Sequence, residues 1–97
     1  MNDLSHKETL TIINKLKEQL KNTETIQNLC EEYNVDVDYI DLIPMAFDEL
    51  DVSARTDKGC IYFNNRLLDG GVENFLEENA HYGAHEIKHH YQQCFGD

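Results

Sequence analysis

GCIYFNN, residues 59–65, is the stretch on which the fold class turns. Ile61, Tyr62 and Phe63 are β-branched or aromatic, and turn-forming Gly59 and Asn64–Asn65 bound them. That composition predicts a strand over Cys60–Asn64. Most of the chain on either side carries helical periodicity. The expectation is therefore α+β: a small sheet, N-terminal helices, and a C-terminal helix.

Upstream, Ser5 and Glu8 form a capping box, and Leu10, Ile13, Leu16 and Leu20 recur at helical spacing. They predict an amphipathic helix over residues 7–22. Thr23 or Thr25 can cap a second, short helix with an apolar stripe of Ile26, Leu29, Cys30 and Tyr33, and Asn34 is a stop signal. Val35, Val37 and Tyr39 then alternate with Asp36 and Asp38, which predicts a second strand before Pro44. Residues 51–58 are polar and read as a turn region.

The 97 residues suffice for one small domain, spanning 1–97. No apolar run approaches a membrane span, and the first ten residues lack the basic region and apolar core of a signal peptide. The expected compartment is the cytoplasm. The net charge of −11 repels phosphate backbones, so direct nucleic-acid binding is not expected, while a basic peptide or protein partner is. The plainer function of such a charge is solubility. Cys30, Cys60 and Cys94 are odd in number and widely separated, the pattern of free thiols in a reducing compartment. Cys94 lies one helical turn after His90, a spacing that would let the two share a metal.

Downstream, Asp69-Gly70-Gly71 marks a turn, and residues 72–95 read as a single helix with Glu73, Glu77 and Glu78 near its start. Wound at 3.6 residues per turn, Leu76, Ala80, Gly83, Ala84, Ile87, Tyr91 and Cys94 gather on one core-facing stripe. Gly83 and Ala84 are small enough for a neighbouring element to approach closely. His85 and His89 lie almost opposite that stripe, one turn apart, and can converge on one zinc ion. Glu86, rotated by about 100°, sits beside them. His85-Glu86-Ile87-Lys88-His89 is thus an H-E-x-x-H motif: two imidazole ligands, and a carboxylate able to take a proton from a water activated by the metal.

A strand followed by an H-E-x-x-H helix resembles the zincin metallopeptidases. ARTDKGCIYFNNRLL (54–68) and ENAHYGAHEIKHHYQQ (78–93) carry the likeness, which is to the minimal, gluzincin-like domains of bacteria and phages. The resemblance implies Zn²⁺ as cofactor, His85 and His89 as its ligands and Glu86 as general base. It also implies an extended peptide substrate lying near Ile61, Tyr62 and Phe63. Two features depart from the family pattern. Lys88 stands where an uncharged residue is usual, and no downstream third ligand precedes Asp97. Three explanations are open. Asp48, Glu49, Asp51 or Asp57 supplies the ligand from upstream; the chain is the N-terminal part of a longer domain; or the site is vestigial. In the last case the protein would be a non-enzymatic, phage-type acidic inhibitor, one that imitates nucleic acid on a zincin-like frame. His81 is a poorer ligand, about 12 Å from His89 along the helix axis.

Overall fold

The computed structural model describes residues 6–96 and is α+β. Ser5, half of the expected capping box, lies outside the described residues. Helix α1 (His6–Lys21) buries Ile12, Ile13, Leu16, Lys17 and Leu20, whereas Leu10 is left exposed. Helix α2 (Glu24–Tyr33) is capped at its start by Thr23, whose hydroxyl accepts the Ile26 N–H. It ends at Asn34 in the left-handed region, φ 57°, as a short polar side chain tolerates.

The chain departs here from the expected second strand. Residues 35–39 form no strand; Val37–Leu42 is a 3-10 helix. Asp36 decides this, because its carboxylate accepts the Asp38 N–H at 2.9 Å and its carbonyl accepts the Tyr39 N–H, which closes a turn. The alternation of apolar and acidic residues mimicked a strand. Ile43 is extended ahead of Pro44, as the proline ring requires, and that extension leads into a strand.

The sheet has three strands: β1 (Met45–Asp48), β2 (Ala54–Asp57) and β3 (Cys60–Asn64), in the order β1-β3-β2. β3 is central, parallel to β1 and antiparallel to β2. Residues 54–57, read as part of a turn region, are an edge strand. Only Lys58 and Gly59 make the turn, both at positive φ, which matches the twist of a tight hairpin. The Asn64 side chain closes the loop between β1 and β2, its amide donating to the carbonyls of Leu50 and Val52 at 2.8 and 2.9 Å.

Helix α3 (Val72–Glu78) and helix α4 (Ala80–Phe95) replace the single expected helix. The break is Asn79, whose φ of −116° and ψ of 3° are not helical. It lets Phe75 turn into the core while α4 takes its own direction. Along α4 the buried residues are Gly83, Glu86, Ile87, His90 and Tyr91, while Cys94, expected on the core stripe, is exposed. The core joins Leu16 and Leu20 of α1, Ile26 of α2, Ile61 and Phe63 of β3, Phe75, Ile87 and Tyr91. Phe63 is fully buried and packs edge-to-face on Phe75, with Phe47 against both. Lys17 is the buried cation: its amine donates to the Ile43 carbonyl at 2.6 Å, and burial pushes its pKa below the usual lysine value. Among the described residues no helix is long and apolar enough to cross a membrane.

Truncating Phe63 to alanine removes the ring that joins sheet to helices and should cost about 3–5 kcal/mol, a large share of the roughly 5–15 kcal/mol that holds a small domain together. Urea denaturation should show a midpoint far below that of the parent. An unchanged midpoint would mean that the core lies elsewhere.

Candidate metal centre

Three side chains of α4 converge at its surface. His85 and His89 are exposed and Glu86 is buried, 7% exposed. One ligand atom from each lies within 4.8 Å of the other two. The two Nε2 atoms are 2.9 Å apart, with the rings at 84° to each other. On a tetrahedral zinc, with Zn–N bonds of about 2.0–2.1 Å, two nitrogens stand roughly 3.3 Å apart. The observed separation, a hydrogen bond between the two rings, is a few tenths of an ångström short of that value. The residues fit a divalent transition metal in donor type and in spacing.

Helical geometry explains the placement. Ile87 and Tyr91 pull one face of α4 into the core. His85 and His89 follow on the outward side, and Glu86, one step round, falls at the boundary against β2. There the Thr56 hydroxyl approaches Glu86 Oε1 at 2.8 Å and the Glu86 carbonyl oxygen at 3.1 Å. Glu86, His89 and Gln93 face Ala54, Arg55 and Thr56 across an open hollow of about 310 Å³. His85 and Lys88 border a separate hollow on the far side, toward Thr25, Asn28, Leu29 and Glu32 of α2. Lys88 is exposed and borders the hollow of His85, not the one that Glu86 and His89 share.

Asp48, Glu49, Asp51 and Asp57, the upstream candidates for a third ligand, do not join the cluster; among the described residues it consists of His85, Glu86 and His89. His81 is exposed and stacks on Tyr82. His90 belongs to the core: it is 3% exposed, and its Nε2 shares a 2.7 Å hydrogen bond with the Tyr39 hydroxyl. Burial lowers its pKa below the ordinary histidine value. Cys94 Sγ lies 3.6 Å from the same nitrogen. Cys30, Cys60 and Cys94 are all free thiols.

Ile61, Tyr62 and Phe63 lie on the central strand, which is hydrogen-bonded along both edges, and Ile61 and Phe63 are fully buried. The strand beside the motif helix is β2. Asn64 N–H donates to the Ser53 carbonyl, and in that register the backbone groups of Ser53, Arg55 and Asp57 face β3 while those of Ala54 and Thr56 face outward. Sequence reading missed Thr56. Its one signal was the alternation of Ala54 and Thr56 with Arg55 and Asp57 ahead of Lys58-Gly59.

No family model matches the sequence, and neither a curated protein nor a solved structure is significantly similar to it.

A metal held by this cluster stabilises the folded chain by mass action, by about 2.7 kcal/mol at a free concentration one hundred times the dissociation constant. Zinc chloride should therefore raise the melting temperature of the parent protein, and elemental analysis should find one zinc per chain. His85→Ala and His89→Ala should lose both effects. A parent protein with neither zinc nor a shift would exclude the centre.

Proposed function

We propose that this chain is a zinc-dependent metallopeptidase-like domain in which His85 and His89 hold the ion and Glu86 is the general base. One observation carries the reading: two imidazole nitrogens and one carboxylate of an H-E-x-x-H helix converge within 4.8 Å at the protein surface, beside an edge strand. Zinc, when bound, would act as a Lewis acid and lower the pKa of a coordinated water. Glu86 would take a proton from the attacking water and return it to the leaving amine, the work of a carboxylate placed beside the ligands. Ala54 and Thr56 would pair their outward N–H and C=O groups with an extended peptide, so that β2 takes the role expected of Ile61–Phe63. The net charge of −11 would draw basic peptides. The cytoplasm suits a domain whose three cysteines are unpaired.

The test is Glu86→Gln in protein purified from zinc-supplemented cells without chelator. The variant should keep one zinc per chain and lose cleavage of a basic peptide library by about 10²–10⁴-fold, the usual contribution of a general base. Equal cleavage by parent and variant would overturn the assignment.

The same charge supports a second reading, a non-hydrolytic acidic protein that binds a basic partner. Binding that weakens with salt and survives His85→Ala/Glu86→Ala, in a parent that cleaves nothing, would select it.

A further inference from the structure

Glu86 stands at a fork. Its carboxylate is close enough to the two imidazoles to become a third ligand, yet the base role requires it to stay outside the coordination sphere. We propose that Thr56 is the positioning residue that settles this choice, tying the Glu86 carboxylate to β2 so that it serves as base. The proposal rests on the metal centre described under Proposed function.

Glu86 is a buried residue, 7% exposed, and its carboxylate needs hydrogen-bond donors. Among the described residues, the Thr56 hydroxyl is the donor to it. That hydroxyl has one proton and two acceptors in reach. The carboxylate oxygen at 2.8 Å is closer than the carbonyl at 3.1 Å, and a charged acceptor makes the stronger bond. Thr56 is well suited to hold a fixed direction. It sits on a strand paired with β3, opposite Ile61, and its β-branched side chain is stiff at χ1. One carboxylate oxygen is thereby held to Thr56 on the β2 side, and Glu86 lines the same hollow as His89. Without the hydroxyl the carboxylate would lose its anchor, and rotation would carry it toward the cation at His85 and His89. Outer-sphere partners of this kind commonly govern how a metal site is built. Thr56 also belongs to the strand edge that would receive the peptide, so substrate pairing and base orientation would share one residue.

The experiment loads the full chain with Co²⁺ in place of zinc and reads its visible d–d absorption, a measure of the ligand set and its geometry that needs no substrate. Thr56→Val keeps shape and removes the hydroxyl; Thr56→Ala is the alternative if valine disturbs β2. Either variant should show d–d bands shifted in position and intensity from the parent's, as a carboxylate oxygen replaces a water in the coordination sphere, and slower loss of metal to a chelator. Thr56→Ser should restore the parent spectrum. In a Glu86→Gln background, Thr56→Val should change nothing further, since the two residues act as one unit. A parent-like spectrum in the valine and alanine variants would overturn the role of Thr56 and leave the metal centre standing. So would a serine variant altered as much as the valine one, because the effect would then follow side-chain bulk. A parent protein that takes up neither Co²⁺ nor zinc would overturn the metal centre and this proposal together.

Discussion

The close approach of α4 to α1 and β3 at Gly83 governs the rest of the molecule. A Cβ added there would stand 3.0 Å from Leu20 Cδ1, 3.5 Å from Leu16 Cδ2 and 3.7 Å from Phe63 Cζ. Because nothing fills that gap, the helix lies flush on two elements at once, and Ile87 and Tyr91 reach full burial one and two turns later. The rotation of α4 is then no longer free. With Ile87 inward, Glu86 must meet β2, and His85 and His89 must face solvent. A bulky residue at position 83 would lift the helix, and the 2.8 Å contact between Thr56 and Glu86 would lengthen with it. Core packing and site geometry are one constraint in this domain.

The buried polar residues divide a second task among them. A 97-residue domain has little apolar core, and several segments lack regular structure of their own. Lys17 donates to the end of the 3-10 segment at Ile43. Asn64 donates to the loop at Leu50 and Val52. His90 holds Tyr39 of the 3-10 helix against α4, beside Tyr91, whose ring contacts Tyr33, Tyr39 and Phe95. Glu86 receives Thr56 from the edge strand. Each bond joins elements distant in sequence. Each also satisfies a polar atom that would be costly to bury alone, while His90 Nδ1 stays buried without a hydrogen-bond partner. In the first three the polar atom is consumed by the fold. Glu86 differs, because its carboxylate also lies near two exposed imidazoles, and that proximity marks the site.

The elements legible in the sequence are those held by local interactions. The spacing of Ile13, Leu16 and Leu20, the Thr23 cap and the Asn34 stop are all visible in short windows, and they delimit α1 and α2 closely. Cys60–Asn64 is legible for a related reason, since a strand paired on both sides and packed on helices needs apolar, β-branched and aromatic residues. The edge strands were hidden because solvent exposure relaxes that demand. Ala54-Arg55-Thr56-Asp57 looks like a loop until β3 pairs with it. The same limit explains residues 35–39, where a single Asp36 side-chain contact outweighs an alternating pattern, and residue 79, where the break depends on where Phe75 and α4 must each point.

The sequence by itself determined the α+β class, the central strand, and the helical spacing that aims His85 and His89 at one point, because a helix places residues i and i+4 together whatever surrounds it. Only the tertiary structure decided which strand lies beside the motif, that Thr56 rather than a distant acidic residue touches it, and that Glu86 is buried while His85 and His89 are not. Those facts depend on how α4 is rotated against the sheet. That rotation is set by a missing side chain at Gly83 and by the shapes of Leu16, Leu20 and Phe63, residues far from position 83 along the chain.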